Sequence, residues 1–365
     1  MTQVFTPFPF VQVEGTPFEA GHQHGELLGD RVAVSIDHYR ARFEDWLRTG
    51  WNAVLDLTDQ IRAPIMGFAP DLMAEMEGIA AGSENPVSAI LALNARTSLM
   101  RMTADSVGRS IVECTTGAIL PARTADGHTM LFGNWDQHLR CMDNSAVVEV
   151  RVTGRPPVLM LTEAGALIRT GFNAAGLGIT GNSLSCDRDG EGFDGIPWPV
   201  VRRRVLHHER LDHAVEAVRS APRSHSGNHV IADAAGSAVD LEATPVEVFA
   251  IAPEDGILVH SNHFLSPDAA AHVVDEMVSR SPSTCDRLGR VDSGVRSKRG
   301  GVDLETIEAA LSDHSGFPDS VCAHPGPGRP NAQTIASHVS DLTTRTLRIS
   351  SGPPCANPYH EYQLA

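Results

Sequence analysis

Lysine is nearly absent from this chain, since Lys298 is the single lysine among 365 residues. Schiff-base and lysine-nucleophile chemistry therefore have almost no candidate residue. Positive charge is scarce as well, because 29 Lys and Arg stand against 45 Asp and Glu, which gives a formal net charge of -16. An acidic field repels polyanions, so we expect neither nucleic acid nor an anionic membrane surface as a partner.

Long apolar runs are also missing. No stretch of about 18 apolar residues occurs, so the sequence predicts no transmembrane helix. The opening "MTQVFTPFPFVQVEG" lacks the basic and apolar segments of a secretory signal. The six cysteines lie too far apart to suggest a disulfide framework, which favours reduced thiols and a cytoplasmic location. They are residues 114, 141, 186, 285, 322 and 355.

Helical and strand-like segments alternate along the chain. The first hundred residues have helical spacing, and Pro70 and Pro86 are each expected at a first helical position. Short β-type runs follow from residue 111, with turns at Asp126-Gly127 and Thr153-Gly154, before two more helical segments and further strands. This order predicts one layered α+β domain over residues 1–365.

Three local patterns are open to a functional interpretation. The basic run "VRRRVLHHER" (201–210) is interpreted as a solvated helix face in preference to a substrate-facing patch. His22, His24, Cys322 and His324 suggest metal ligands, but no third and fourth ligand follow at the usual spacing, so we expect no metal site. The glycine-rich segments lack the strand–GxGxxG–helix context of a dinucleotide site, and no cofactor is expected.

The segment "ECTTGAILPARTADGHTMLFGNWD" (113–136) holds the strongest candidate for chemistry. Cys114 opens a predicted strand where a helical segment ends, and a hairpin can return Asp136 beside it. The hydroxyls of Thr115 and Thr116 are suited to hydrogen-bond a tetrahedral intermediate or a bound substrate. An ordinary buried cysteine is the alternative, because cysteines are among the most buried residue types.

The motif "ECTT…GNWD" resembles the acyl-coenzyme A:6-aminopenicillanic acid acyltransferase (isopenicillin N acyltransferase) family of cysteine-type N-terminal nucleophile hydrolases. Further blocks resemble the same family in the same order, over nearly the whole chain. These blocks are "GTPFEAGHQHGELL", "GFNAAGLGITGNSL", "NHVIADAAGSAVDLEATP", "LVHSNHF", "DHSGFPDSVCAHP" and "GPPCANPYHEYQL".

The resemblance implies an αββα sandwich, with two stacked antiparallel sheets between helical layers. It also implies self-cleavage between Glu113 and Cys114, which would leave fragments 1–113 and 114–365 associated. Cys114 would then supply both the thiol nucleophile and, through its new α-amine, the base, because an α-amine titrates near pH 8, at about 7.7–8.0.

The resemblance also implies supporting residues. Asn228 matches the oxyanion-hole asparagine, and Asn173 and Asn182 are second candidates for substrate contact, with turn capping as an equal alternative. Asp136 matches the carboxylate near the new α-amine, or else caps a strand end. Arg287 matches an arginine near the pocket, or else is an exposed helix residue.

The predicted function is hydrolysis of a linear C–N amide bond in a small acyl-amine or acyl-amino acid. The alternative is acyl transfer to an amine from coenzyme A or from an amide. Two other possibilities stay open: an unprocessed binding protein in which Glu113 blocks cleavage, and a conventional cysteine hydrolase that uses His229 or His263. Glycine precedes the nucleophile of the penicillin enzyme, so Glu113 either slows the rearrangement or serves as a proton donor. A homo-oligomer is compatible with all of these.

Overall fold

The computed structural model describes residues 5–101, 113–190 and 195–364. Its first part is helical, as predicted, after one initial strand, β1 (Phe10–Gly15). Pro70 is the first helical residue of its helix, as expected, whereas Pro86 has an extended ψ of 143° and caps a helix that begins at Val87. The helices of this part are α1 (Pro17–Leu27), α2 (Gly29–Leu47), α3 (Trp51–Asp59), α4 (Arg62–Phe68), α5 (Pro70–Gly82), α6 (Val87–Asn94) and α7 (Arg96–Arg101).

Two sheets follow. The first has the order β1-β4-β5-β6-β7-β8-β9-β10, and the second has the order β11-β2-β3-β12-β13-β14. The pairs are antiparallel except that β1 runs parallel to β4, which departs from the expected all-antiparallel sheets. The strands are β2 (Glu113–Ile119), β3 (Met130–His138), β4 (Ser145–Val152), β5 (Val158–Glu163), β6 (Thr170–Asn173), β7 (Leu177–Thr180), β8 (Gly227–Asp233), β9 (Ala238–Ala243), β10 (Val248–Ile251), β11 (Ile257–His260), β12 (Ala332–Asp341), β13 (Thr346–Ser351) and β14 (Tyr359–Gln363).

In the second half of the chain, the described residues form five helices. Two of them, α8 (Trp198–Val205) and α9 (Leu211–Arg219), match the predicted helical pair, and their apolar residues join the core of the amino-terminal helices. The others are α10 (Met277–Arg280), α11 (Ser283–Arg296) and α12 (Leu304–Leu311). No helix among the described residues is long and apolar enough to cross a membrane.

The apolar cores define four layers. One core joins helices α1–α9 to the outer face of the first sheet, and a second fills the space between the sheets, with Leu131 and Phe172 among its residues. A third core joins the far face of the second sheet to α11 and α12, through residues such as Val291 and Ile307. Helix, sheet, sheet and helix layers confirm the predicted αββα sandwich.

Helices α1 and α5 approach closely through glycines. A Cβ atom on Gly25 would lie 2.3 Å from the Ile79 carbonyl oxygen, and one on Gly78 would lie 2.1 Å from the Phe18 carbonyl oxygen. The "GHQHG" motif therefore serves helix packing. Its buried His24 accepts a hydrogen bond at Nε2 from the Gly165 amide, 3.1 Å away.

The basic run on α8 is not a solvated face. Arg202 and Arg203 are 6% and 1% exposed, so the expectation for this segment was wrong at both residues. Arg203 reaches Glu75 of α5 at 3.5 Å, and Arg202 donates to Asn228 and His229 of β8. The error follows from judging charge alone, because an arginine can be buried when it has a partner.

Candidate active site

Strands β2 and β3 form the hairpin that the sequence predicts. In their register Glu113 lies opposite Asp136 and Cys114 lies opposite Trp135. Successive residues of a strand point to opposite faces, so Glu113 and Asp136 face α11, whereas Cys114 and Trp135 face the space between the sheets. The junction between residues 113 and 114 is therefore held from both sides of one sheet.

Cys114 is fully buried and is contacted at three of its atoms. Arg169 Nη2 donates to the sulfur at 2.8 Å, and the Cys114 amide donates to Asn262 Oδ1 at 2.9 Å. Arg287 Nη1 donates to the Cys114 carbonyl oxygen at 2.8 Å. Burial raises the pKa of the thiol above its usual value, although the Arg169 guanidinium opposes this. The thiol of the intact chain is therefore neutral at pH 7.

The Glu113 carboxylate lies in a polar pocket on the other face. Arg329 and Ser281 donate to it directly, Ser283 Oγ donates at 3.2 Å, and Arg287 lies 3.7 Å away. Burial works against the charge, but the two arginines and Ser281 outweigh it, so the pKa of Glu113 lies below its usual value. An ionised Glu113 is not a proton donor at neutral pH, which removes one of the two roles considered for it.

Asp136 has one bound and one unbound oxygen. Its Oδ1 accepts from Thr334 Oγ1 at 2.6 Å, while Oδ2 is buried and has no hydrogen-bond partner among the described residues. Burial raises the pKa of Asp136 to about 6, against the opposing effect of Arg287 and Arg329. A partly satisfied carboxylate with this pKa can change charge in the neutral range.

Arg287 is buried on α11, with 1% of its surface exposed, and is not the exposed helix residue of the alternative. Besides Cys114 it contacts Thr115 Oγ1 at 2.9 Å and Asn262 Oδ1 at 3.0 Å. The hydroxyl of Thr115 therefore faces Arg287. It does not face the pocket on the Cys114 side of β2, hereafter the inner pocket, which corrects the substrate-binding role expected for it. Thr116 points inward with a buried hydroxyl that lacks a hydrogen-bond partner within the described ranges.

Asn182 and Asn228 lie together behind the inner face. The backbone amide and the side-chain Nδ2 of Asn182 both donate to Asn228 Oδ1, each at 3.2 Å. The Asn228 amide donates in turn to Asp240, so in this intact chain its NH₂ group is already engaged. Asn182 lines the inner pocket, and its own Oδ1 has no hydrogen-bond partner in the described part of the chain.

Asn173 fits the turn-capping alternative and not a substrate contact. Its Nδ2 donates to the carbonyl oxygens of Leu206 and His208 at 3.0 and 2.7 Å, and its Oδ1 accepts from the Leu177 amide at 3.0 Å. The first two contacts tie the β6–β7 turn to the end of α8, and the third lies within the turn itself. Asn173 is also not among the residues that line the inner pocket.

The inner pocket lies on the Cys114 side of β2 and is rich in arginine. It holds a cavity of about 50 Å³, bordered by Trp135, Trp198 and three arginines, Arg96, Arg169 and Arg202. Glu163 neutralises Arg96 at 2.7 Å. The pocket residues are Arg96, Thr97, Met100, Trp135, Gln137, Ile168, Arg169, Asn182, Ser183, Trp198, Pro199 and Arg202.

Arg169 and Arg202 have no carboxylate partner among the described residues. Arg169 donates to the Gly181 carbonyl oxygen at 3.1 Å in addition to the cysteine sulfur. Arg202 donates to His229 Nδ1 and to the carbonyl oxygen of Asn228, both at 3.3 Å. Burial lowers the pKa of Arg202 well below its usual value, and the charge of Arg169 adds to this effect. Two uncompensated cations beside one pocket favour an anionic ligand.

Neither proposed histidine lies against the cysteine sulfur. His229 meets Arg202 and packs edge-on against Trp198, with ring centroids 4.4 Å apart. His263 binds Thr284 through Nδ1 at 3.0 Å. Within the described ranges, no histidine nitrogen contacts the Cys114 sulfur, so a preformed Cys–His pair is absent there.

Four site residues escaped the sequence analysis. Asn262 lies in the quoted block "LVHSNHF", which carried a signal, and Arg202 lies in the basic run that was interpreted as solvated. Arg329 lies in the proline- and glycine-rich loop before β12, and Arg169 precedes β6, where no local pattern marks either residue. Only the tertiary fold brings these side chains to Glu113 and Cys114.

Comparison with known proteins gives a consistent result. A family model described as acyl-coenzyme A:6-aminopenicillanic acid acyl-transferase matches residues 123–355, so its match begins after Cys114. The 40 kDa form of acyl-coenzyme A:6-aminopenicillanic-acid-acyltransferase from Emericella nidulans is 25% identical over 346 residues, which cover 94% of this chain and 92% of that protein.

Solved structures with similarity include a variant of the conjugated bile acid hydrolase from Clostridium perfringens. It is 14% identical with a TM-score of 0.46, and the match covers 69% of this chain and 97% of that chain. Penicillin V acylase from Agrobacterium tumefaciens is also 14% identical, with a TM-score of 0.41, and the match covers 65% of this chain and 83% of that chain.

Proposed function

The chain belongs to the acyl-coenzyme A:6-aminopenicillanic acid acyltransferase family, and from this premise we propose that it is a self-processing cysteine enzyme that opens linear amides. Its nucleophile is Cys114, and its first substrate is its own Glu113–Cys114 peptide bond. Hydrolysis of a small amide is the main activity, and acyl transfer to an amine is the second candidate because the family is described as an acyltransferase.

One observation carries this proposal: the sulfur, the amide nitrogen and the carbonyl oxygen of Cys114 each have their own polar partner. Arg169 holds the sulfur, Asn262 the nitrogen and Arg287 the carbonyl oxygen. An ordinary buried cysteine needs no guanidinium at its sulfur. Fixing the thiol beside the preceding peptide bond supplies the orientation that an intramolecular attack requires.

The cleavage step begins with attack of the Cys114 sulfur on the Glu113 carbonyl carbon. The sulfur–carbon bond forms, the carbon–nitrogen bond breaks, and the thiol proton is transferred to the departing nitrogen of Cys114. An ionised Asp136 stabilises the ammonium that develops. Water then hydrolyses the thioester, which gives a free carboxylate on Glu113 and returns the Cys114 thiol.

The anchored Glu113 side chain supports cleavage in preference to blockage. Its carboxylate is bound by Arg329, Ser281 and Ser283, which leaves the peptide carbonyl with little freedom to move away from the thiol. After cleavage the α-amine of Cys114 remains beside Asn262 and Asp136, and as a base it accepts the thiol proton during attack on the substrate. Water or an amine then takes the acyl group from the thioester.

The substrate class follows from the inner pocket. Arg169 and Arg202 are buried without a carboxylate partner among the described residues, whereas Arg96 already has Glu163. A substrate with a carboxylate or another anionic group close to the scissile amide would neutralise this pair. We therefore expect amides of amino acids or of acidic acyl groups to react better than neutral amides.

The denatured mass of the purified protein tests the central step. The wild-type chain should give a fragment of about 12 kDa, the share of residues 1–113 in a 39.1 kDa chain of 365 residues, and Cys114→Ala should stay intact. Cys285→Ala is the matched control, because Cys285 is an exposed cysteine on α11. A wild-type chain that remains whole after long incubation refutes self-processing.

A second assay separates hydrolysis from transfer. The cleaved protein is incubated with an amide substrate in the presence and absence of an added primary amine, and the products are identified by mass. Free acid alone indicates a hydrolase, whereas a new amide that grows with amine concentration indicates a transferase. Turnover by an uncleaved chain that is lost in a His229→Ala or His263→Ala variant would instead support a conventional cysteine hydrolase.

A further inference from the structure

A second cluster of reactive side chains lies at the surface, on the loop side of the second sheet. It consists of His314, Cys322, His324 and Cys355, hereafter the His2Cys2 cluster. One potential ligand atom from each residue lies within 4.8 Å of those of the other three. We propose that this cluster is a tetrahedral zinc site.

The distances within the cluster match a shared metal ion. His324 Nε2 lies 3.1 Å from His314 Nε2, and it lies 3.5 Å from both Cys322 Sγ and Cys355 Sγ. Tetrahedral zinc with bonds of about 2.0 Å to nitrogen and 2.3 Å to sulfur separates its ligand atoms by about 3.3–3.8 Å. The three separations from His324 Nε2 are therefore close to those of a zinc site, and the remaining ligand atoms lie within 4.8 Å of one another.

The donor set selects the metal class. Two thiolates and two neutral imidazoles are borderline and soft ligands, which suit zinc and disfavour magnesium or calcium, since those ions require oxygen donors. All four positions are filled by protein atoms, so no position remains open for a reacting water. The site is therefore structural and takes no part in the amide chemistry.

The sequence predicts no metal site, because these four residues do not have the regular spacing of a known ligand motif. His314 follows α12, Cys322 and His324 lie in the loop before β12, and Cys355 lies between β13 and β14. Spacings of seven, one and thirty intervening residues do not form a recognisable motif, although the two central residues had been noted. The antiparallel pairing of β12 with β13 is what brings Cys355 to the loop.

The backbone around the cluster is already held in place. The Cys322 amide donates to the Asp313 carbonyl oxygen and the His324 amide to the Pro318 carbonyl oxygen, both at 3.0 Å. The ring of Phe317 packs against both histidines, with centroids 6.3 Å from His314 and 5.4 Å from His324.

Zinc binding would join the loop of residues 312–331 to the segment between β13 and β14. The same loop carries Arg329, which binds Glu113. The strand that follows it, β12, carries Thr334, which binds Asp136. The inference itself is independent of the proposed function, because a metal content is measured without any assay of cleavage or turnover.

The test measures metal content and the spectrum of a substituted metal. Wild-type protein prepared without chelators should contain one zinc per chain by elemental analysis, and cobalt(II) exchanged into it should show tetrahedral ligand-field and thiolate charge-transfer bands. Cys355→Ser and His314→Gln replace exposed ligands, so both variants should fold but bind zinc more than about tenfold more weakly. Cys285→Ser, another exposed cysteine, should keep the metal.

Three results would overturn the zinc site. One is a wild-type protein that holds far less than one zinc per chain and binds cobalt without thiolate bands. Another is a Cys322–Cys355 disulfide, seen as two missing free thiols by alkylation and mass measurement under denaturing conditions. Equal zinc affinity in Cys355→Ser and Cys285→Ser would have the same meaning.

Discussion

Two pairs of buried arginines lie on opposite faces of β2, and among the described residues only one pair has carboxylate partners. On the outer face Arg287 and Arg329 meet Glu113. On the inner face Arg169 and Arg202 meet the Cys114 sulfur and backbone carbonyl oxygens. The outer pair is thus balanced by the chain itself, whereas the inner pair retains positive charge that a ligand can neutralise.

The pKa values show the same contrast. Burial acts to lower the pKa of both Arg202 and Arg329, because a low-dielectric interior disfavours charge. The nearby Glu113 reverses this effect for Arg329, whose pKa is raised, whereas no carboxylate in the described part of the chain does so for Arg202. An uncompensated buried cation is costly in free energy, so its presence beside the proposed nucleophile indicates a functional requirement.

The largest effect is expected from removing the outer carboxylate. Glu113→Gln in a Cys114→Ala chain keeps the protein uncleaved and leaves two buried arginines without this partner. Breaking a buried ion pair on one side costs about 3–5 kcal/mol in the free energy of unfolding, which denaturant titration measures. The matched control is Glu254→Gln, because Glu254 is 91% exposed and lies 3.9 Å from Arg296, where screening should leave stability unchanged.

The difference in free energy of unfolding between the Cys114→Ala chain and the same chain with Glu113→Gln should depend on pH in a defined direction. The pKa of Glu113 is below its usual value, so its charge stabilises the fold fully above the unfolded-state pKa of about 4.3, and this contribution is lost as the pH falls further. The gap in stability between the two chains should therefore narrow below about pH 4. A gap that is constant down to pH 2–3, about where acid unfolding begins, would contradict an ionised Glu113.

The second effect concerns the inner pair and the charge of the substrate. In two amides that differ only by a free carboxylate or a carboxamide beside the scissile bond, we expect kcat/KM to favour the carboxylate by about tenfold to a hundredfold. Arg202→Met should remove most of this preference while Cys114-dependent self-cleavage persists. An unchanged preference in Arg202→Met, or equal rates for both amides in the wild type, would show that the inner arginines do not recognise an anion.

The third effect is the response of self-cleavage to pH. Burial raises the pKa of Asp136 to about 6, so its negative charge is lost as the pH falls through that value. The rate constant for cleavage of the intact chain should drop about tenfold for each pH unit below it, because the developing ammonium loses its counterion. In the Asp136→Asn variant, cleavage should be slow and its rate constant should not fall further below pH 6. The control variant Asp126→Asn, in an exposed turn, should keep the wild-type pH dependence.

The fold was largely predictable from local patterns. Alternating apolar residues and the turns at Asp126-Gly127 and Thr153-Gly154 correspond to observed strand pairs, because strand period and turn chemistry are local properties. Strand β1 was not foreseen, and it is the one strand whose partner, β4, runs parallel and lies more than a hundred residues away. A pairing of that kind leaves no local signal.

The site was predictable only for residues that lie close together in the sequence. Cys114 and Asp136 stood out because a short hairpin joins them, and the structure brings them to adjacent register positions. Arg169, Arg202 and Arg329 did not stand out, because an arginine in sequence carries no mark of whether it meets solvent, a carboxylate or a substrate. The His2Cys2 cluster also escaped, since its ligands come from two segments, the loop of residues 312–331 and Cys355 between β13 and β14.

The smallest effect is expected from removing a single hydrogen bond to Glu113 on the outer face of β2. Ser283 Oγ donates to Glu113 at 3.2 Å, in addition to the closer hydroxyl of Ser281, so Ser283→Ala should lower the free energy of unfolding of the Cys114→Ala chain by about 1 kcal/mol. Ser279→Ala is the control, because that exposed hydroxyl donates only to the Glu276 carbonyl oxygen at 3.1 Å. If both variants have the same stability, the arginines and Ser281 hold the Glu113 charge without help from Ser283, and the contrast between the two faces of β2 reduces to the presence or absence of a single carboxylate.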